Sequence, residues 1–167
     1  MKTSMIALAV CSALLLWSCK PDAIKDYEAP DSAFKLANLS GTWKMSTLVQ
    51  SDEDAVTKGF PYKTVDLTQA INAPQVKFTI NMNGAAPGTF AIDHGTATKL
   101  FKSTSGNWMV DDQAKPSQMW FVNGTDTVKF VIQGYNNILQ NKQMVLKRTR
   151  KLGVKAVSTY TYTFDKQ

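Results

Sequence analysis

The chain has 167 residues and a formal net charge of +6, with 44% hydrophobic and 19% charged residues. This length fits one domain with appendages, because a domain takes about 100 to 200 residues, and the composition is too hydrophobic for a disordered chain. Only two Cys and one His are present, which excludes a disulfide scaffold, a zinc cluster and a Cys/His catalytic dyad.

The N-terminus has the features of a bacterial lipoprotein signal. Lys2 precedes an uncharged apolar stretch, residues 5–17, which is too short for a membrane helix of about 20 residues. Residues 16–19 then read Leu-Trp-Ser-Cys and resemble the lipobox of bacterial lipoproteins, in which a Leu lies three positions before an obligatory Cys. The resemblance implies a signal peptide over residues 1–18 and acyl chains such as palmitate on Cys19. An ordinary signal peptide with an incidental Cys is the alternative.

A lipid anchor on Cys19 predicts a location in the bacterial cell envelope, because two or three acyl chains hold a protein firmly on a membrane. Lys20 follows the Cys. In some lipoprotein families an Asp at that position means retention in the inner membrane, so a Lys there favours transfer to the outer membrane. The orientation, toward the periplasm or the exterior, stays open.

Residues 19–38 are predicted to form the lipidated Cys and a flexible tether, since they hold two Pro, mixed charge and no sustained period. A short helix over residues 32–37 is the alternative. Within the tether, Asp31-Ser32-Ala33 resembles the site at which Bacteroidota O-glycosylate secreted proteins, which implies modification of Ser32. Thr127 fits the same pattern but lies in a predicted strand, so Ser32 is favoured.

Beyond residue 38, apolar and polar residues alternate, which is typical of half-buried strands. In residues 75–82 every second side chain is apolar, and Asn83-Gly84 and Asn123-Gly124 each predict a tight turn. Further strands are predicted around residues 89–92, 107–110, 117–122, 125–133, 140–150 and 155–164. The sequence therefore predicts one all-β domain over residues 39–167.

One segment breaks this alternation. Residues 51–74 are long for a connection between strands, and Thr64 or Asp66 could cap a short helix with Leu67 and Ile71 on one side. We expect this loop to lie over an end of the domain. A loop without helix is the alternative.

The first strand opens with Gly41-Thr42-Trp43, which resembles the start of lipocalin-like barrels. With the lipobox, the tether, the long loop and the meander, the chain is similar to small lipocalin-like lipoproteins of Bacteroidota, mostly domains of unknown function. The resemblance implies an antiparallel meander closing into a barrel of about eight strands, and closure would remove exposed strand edges. A β-sandwich stays open as an alternative. Trp43 is expected to be a core residue without a special role; the alternative is that it plugs one end of the barrel, with Arg148 or Arg150 stacked on its ring.

Residues suited to catalysis or metal binding are sparse. His94 follows Asp93, but neighbours on a strand point to opposite faces, so a solvated turn histidine is favoured over a proton-transfer pair. The acidic runs at residues 52–54 and 111–112 lack the spacing of a calcium loop and are interpreted as solvated. We therefore expect no enzyme, no cofactor and no metal site.

A basic run occupies the C-terminal part of the chain, with no acid between Asp126 and Asp165. Its members are Lys142, Lys147, Arg148, Arg150, Lys151 and Lys155. Such a patch suits acidic glycans or an anionic ligand, but a hairpin whose outward faces are solvated is the favoured interpretation. Nucleic acid is not expected as a partner, because no recognition motif accompanies the charge.

The sequence thus favours a membrane-anchored binding module that captures a small apolar or amphipathic ligand in a barrel pocket. Trp108, Trp120 and Tyr160 are predicted to line its mouth, with residues 51–74 as a lid. The alternative is a protein or glycan interaction module of the cell envelope that uses an outer surface, in which case the interior would be filled. A hydrolase based on Asp111 or Asp112 is disfavoured.

Overall fold

The computed structural model of the protein describes residues 34–167, which contain nine strands in one antiparallel sheet. The strands are β1 (Gly41–Asp52), β2 (Thr64–Asp66), β3 (Lys77–Asn83), β4 (Ala86–Asp93), β5 (Ser105–Val110), β6 (Gln118–Asn123), β7 (Asp126–Gln133), β8 (Gln143–Leu152) and β9 (Lys155–Lys166). Apart from β2, each strand pairs with the next along the chain, β1 with β3 directly.

The sheet closes on itself through β1 and β9. Their ladder runs from the pair Trp43–Lys166 to the pair Asp52–Ser158, and it leaves β2 as an extra strand beside an eight-stranded barrel. The predicted antiparallel barrel is therefore confirmed. The β-sandwich alternative is excluded, because the first and last barrel strands are hydrogen-bonded to each other.

Two glycines make the predicted tight turns possible. Gly84 and Gly124 follow the last residues of β3 and β6, and their φ angles of 61° and 57° lie in the left-handed region that glycine adopts without steric cost. Each turn leaves only two residues between paired strands. The strand register is thereby fixed on both sides of each hairpin.

The long connection between β1 and β3 differs from its prediction. Its helix, α1 (Glu53–Thr57), comes earlier than expected, because the carboxylate of Asp52 accepts hydrogen bonds from the backbone N–H groups of Asp54 and Ala55 at 2.9 Å. Asp66 instead ends β2 and accepts a hydrogen bond from the N–H of Thr68 at 2.8 Å. The predicted helix capped by Thr64 or Asp66 is therefore wrong, and a 3₁₀ helix, Ala73–Gln75, leads into β3.

The interior of the barrel is filled with side chains. Alternate residues of every barrel strand point inward, as the pleat requires, and aromatic rings contact one another across the centre. The ring of Phe78 lies 4.5 Å from that of Phe164 and 5.5 Å from that of Phe121. Phe101 comes from the loop of residues 94–104 rather than from a strand, and its ring is 5.3 Å from Phe78 and 5.7 Å from Tyr162.

Trp43 plugs one end of the barrel, here called the closed end. Its side chain is fully buried, and its Nε1 donates a hydrogen bond to the carbonyl of Leu39 at 2.8 Å. The cation over its ring is Lys166, whose Nζ lies 5.1 Å from the centroid. The expected partners Arg148 and Arg150 are wrong, because β8 runs away from this end before it reaches them.

The domain begins before residue 39. Phe34 and Leu36 are buried in the same core as the barrel residues, and residues 36–39 form a 3₁₀ helix. The ring of Phe34 lies 4.9 Å from that of Tyr135, the first residue of a helix that the sequence does not predict, α2 (Tyr135–Gln140). This corrects the predicted end of the tether at residue 38, since apolar side chains at 34 and 36 gain burial by packing on the closed end.

Candidate functional site

A cleft of about 560 Å³ opens at the end of the barrel opposite Trp43, here called the mouth end. Its volume falls in the range of small-molecule sites, which is about 300 to 1,000 Å³. The cleft has an apolar floor and a basic rim. It is lined by Leu48, Leu67, Ile71, Lys99, Leu100, Arg148, Thr149, Arg150, Lys151, Tyr160 and Tyr162.

Strands β8 and β9 supply the aromatic and most of the basic residues of the cleft. Met144 and Leu146 of β8 are buried in the core, and Arg148 and Arg150 continue the same alternation beyond the packed interior. In the ladder Arg148 lies opposite Tyr160, two pairs beyond Leu146 and Tyr162 and on the same face of the sheet. Along the inner face of β8, the side chains thus change from apolar core residues to the basic residues that line the cleft.

Two loops complete the cleft. Leu67 and Ile71 belong to the segment of residues 51–74, and Lys99 and Leu100 to residues 94–104. The backbone joins these loops to each other and to the barrel: the N–H of Thr98 donates to the carbonyl of Ile71 at 3.1 Å, and that of Leu67 to the carbonyl of Leu48 at 2.8 Å. Residues 51–74 therefore lie over this end, in the place that the sequence predicts for a lid.

The floor of the cleft is poorly solvated. Burial raises the pKa of Tyr162 to about 12, and the guanidinium of Arg148 opposes this rise. Phe101 lies directly beneath, in ring contact with Tyr162. The cleft therefore stops at a layer of aromatic side chains and does not continue into the barrel.

Of the three predicted ligand-binding residues, the structure brings only Tyr160 to the cleft. Trp108 is buried and donates from Nε1 to the carbonyl of Asn81 at 2.6 Å, beside a second depression of about 680 Å³ near the β3–β4 turn. Trp120 lies on the outer face, because its neighbours in β6 point inward, and the Nζ of Lys129 is 5.5 Å from its ring. The three residues do not form one site.

Arg148 and Arg150 are functional candidates that the sequence places in a basic run and beside Trp43, but not at the mouth end. Their shared alternation with Met144 and Leu146 is the signal that points them to the inner face of β8. The sequence shows this alternation, but it does not show at which residue of β8 the packed core ends. A position in the cleft follows only from the barrel geometry.

The acidic runs hold turns together. The carboxylate of Asp111 accepts hydrogen bonds from the N–H groups of Ser117 and Gln118 at 2.9 Å, and from the hydroxyl of Ser117. Asp112 accepts from the N–H of Ala114 at 2.8 Å. Hydrogen bonds from Lys155 and then Lys58 lower the pKa of Asp54 to about 2. Within residues 34–167, no group of three His, Cys, Asp or Glu side chains is arranged to hold a metal ion.

His94 lies in a turn after β4, but it is less solvated than expected. Its Nε2 is buried and has no hydrogen-bond partner within the described part of the chain, and its ring lies 6.1 Å from that of Phe101. The adjacent carboxylate, Asp93, accepts a hydrogen bond from the N–H of Gly95 at 2.8 Å. His94 therefore belongs to the packing around the loop of residues 94–104.

We expect the stability of the protein to decline as the pH falls below about 6.5, in part through His94. Burial, followed by the charge of Lys99, lowers the pKa of His94 from 6.5. The unfolded chain then takes up a proton that the folded chain resists, so the contribution of His94 to stability is constant above this range and falls below it. Urea midpoints near about pH 7.5 and 5.5 measure the decline. His94→Gln should reduce it, and an unchanged decline would contradict the assignment.

The predicted lipidation and O-glycosylation sites precede the barrel in the chain. Cys19 and Ser32 lie outside the described residues, and so do the signal peptide and most of the predicted tether. Thr127 is exposed on β7, opposite Val122. None of the helices within residues 34–167 has the length and hydrophobicity needed to cross a membrane.

The fold and the cleft define a small closed β-barrel with an amphipathic cavity at one end. The chain belongs to the family described as a domain of unknown function (DUF5004), which matches residues 21–165. The match thus covers the barrel and begins within the predicted tether. No curated protein matches the chain.

Proposed function

We propose that the protein is a lipid-anchored, non-enzymatic binding module of the bacterial cell envelope. Its barrel captures a small apolar or amphipathic ligand at the mouth end. The observation that carries this proposal is the cleft of about 560 Å³, whose apolar floor includes Leu67, Ile71 and Tyr160. The packed interior restricts the ligand to the mouth, so the bound molecule would be held between strands β8 and β9 and the two loops.

The anchor is tested through its cysteine. Wild-type protein in its host is expected to incorporate labelled palmitate. Cys19→Ala is expected to lose the label, because the lipobox resemblance implies that the lipid is attached to the thiol of Cys19. Cys11→Ala is the matched control and should keep the label, since Cys11 lies inside the apolar signal. A label that persists in Cys19→Ala would overturn the lipoprotein proposal. Fractionation of inner and outer membranes tests the proposed outer-membrane location.

Ligand capture is tested on residues 19–167 carrying Cys19→Ala, so that no lipid is attached. We expect monolaurin or dodecyl phosphate, below its micelle concentration, to bind with a measurable heat. Ile71→Glu should weaken binding by about tenfold or more, because it replaces apolar floor with a carboxylate that the basic residues of the cleft can bind in place of the ligand. Val131→Glu, on the exposed outer face of β7, is the control and should bind normally. If neither probe binds the wild type, the proposal is wrong.

An interaction surface at the same end is a second candidate function. Phe60, Tyr62, Leu152 and Val154 expose large apolar side chains there, and Tyr62 and Val154 are 95% and 99% exposed. This function would use the outer surface to contact a protein or glycan. Site-specific cross-linking from Leu152 in the intact envelope tests it: a defined cross-linked product that Val154→Ser removes and Arg148→Gln leaves unchanged would favour this candidate over ligand capture.

A further inference from the structure

The rim of the cleft carries four cations and no acid. Lys99, Arg148, Arg150 and Lys151 line it, and its remaining residues are uncharged. Two of the four are arginines, whose planar guanidinium groups bind carboxylate or phosphate oxygens through paired hydrogen bonds. The cleft thus places a concentrated positive charge directly above an apolar floor.

The acids of the mouth end do not neutralise this charge. In the described part of the chain, Asp54 pairs with Lys58 at 2.8 Å and Lys155 at 2.7 Å, and Asp126 pairs with Lys102 at 2.9 Å. These are the ion pairs of residues 34–167, and none of them includes a rim cation. Neighbouring cations such as Lys155 therefore have carboxylate partners, whereas the four that line the cleft do not.

The strand geometry holds two of these charges side by side. Arg148 and Arg150 lie on the same face of β8, because they are two residues apart. Within the described chain, the ladder between β7 and β8 ends at the pair Val131–Lys147, so this part of β8 is paired only with β9. Like charges held close together repel one another, and an anion bound between them would remove that repulsion.

From these observations we propose that the ligand is a single-chain amphiphile with an anionic head group, such as a carboxylate or a phosphate. This inference rests on the proposed function and specifies its ligand class. The head group binds Arg148 and Arg150, with Lys99 and Lys151 contributing charge. The apolar chain lies on Leu67, Ile71, Leu100 and Tyr160. The aromatic layer above Phe101 limits how deeply the chain enters.

Three probes separate the head group from the chain. Dodecyl phosphate has both, monolaurin has a similar chain with a neutral head, and inorganic phosphate has the charge without a chain. We expect dodecyl phosphate to bind the wild type about tenfold or more tightly than either of the others, since its head group gains charged hydrogen bonds that monolaurin lacks and its chain gains apolar contacts that inorganic phosphate lacks. This advantage should shrink as salt is raised, because the rim is open to solvent.

The matched variants remove two charges from different faces of the barrel. Arg148→Gln/Arg150→Gln should weaken dodecyl phosphate binding by about tenfold or more and leave monolaurin binding unchanged. Lys129→Gln/Lys147→Gln removes the same charge from the outer face and should bind all probes as the wild type does. Circular dichroism melting curves verify that each variant is folded.

The outcomes distinguish the two proposals. If monolaurin binds as tightly as dodecyl phosphate, the anionic ligand class is wrong but ligand capture stands. If inorganic phosphate binds as tightly as dodecyl phosphate, the site holds a free anion and the amphiphile is excluded. An equal loss in both double variants would assign the effect to net charge and overturn the inference. Absence of binding by all three probes overturns the proposed function itself.

Discussion

Replacing Trp43 by Ala is expected to lower the free energy of unfolding by about 3–5 kcal/mol. The indole is fully buried at the closed end and donates a hydrogen bond to the carbonyl of Leu39 at 2.8 Å. Its removal leaves a large cavity where β1 and β9 close the barrel, and it also leaves that buried carbonyl without its donor. Urea unfolding followed by far-ultraviolet circular dichroism measures the loss without depending on tryptophan fluorescence.

Trp120→Ala is the matched control for this prediction. Trp120 also lies in a barrel strand, but on the outer face, where Lys129 covers its ring. Its loss is expected to cost about 1 kcal/mol, from one cation–π contact and partial burial. Trp43→Phe should fall between the two, since it keeps most of the volume and loses the hydrogen bond. Equal destabilisation by Trp43→Ala and Trp120→Ala would contradict the assignment of Trp43 as the plug.

The strands were predictable because their signal is local. Each half-buried strand alternates apolar and polar residues, so β3 and β9 appear in the sequence within a few residues of their observed limits. The alternation does not decide which of two apolar faces is the inner one. Met119 and Trp120 are both large and apolar, and only the closed barrel shows that Met119 is buried and Trp120 is outside. The sequence therefore does not show that Trp120 lies outside the barrel, away from the cleft that Tyr160 lines.

The loops were less predictable because their contacts are long-range. Phe101 has no periodic neighbours, yet it enters the core through contacts with β3, β7 and β9. α1 has five residues, too few for a helical period, and depends on its Asp52 cap.

The sequence also did not show which end of the barrel the basic part of β8 reaches. The sequence places an arginine of β8 near Trp43, whereas the direction of β8 carries Arg148 and Arg150 to the mouth.

Phe101→Ala should destabilise the protein by about 3–5 kcal/mol, although the residue lies in a loop. Its ring is 3% exposed and contacts Phe78, Phe130 and Tyr162, so its removal opens a cavity in the core at the mouth end. Because Tyr162 also lines the cleft, this cavity should be reachable from the mouth. A small apolar probe such as benzene should then raise the melting temperature of Phe101→Ala but not of the wild type, since binding to the folded state stabilises it.

Phe60→Ala provides the comparison at the same end of the barrel. Phe60 is 53% exposed and lies outside the core, so the substitution should change stability by no more than about 1 kcal/mol and create no site for benzene. If Phe101→Ala is as stable as Phe60→Ala, the loop of residues 94–104 does not seal the core. If Phe101→Ala loses stability and benzene has no effect, the layer beneath the cleft collapses on truncation. If Phe101→Ala loses stability and benzene restores part of it, Phe101 forms the lower boundary of the binding site.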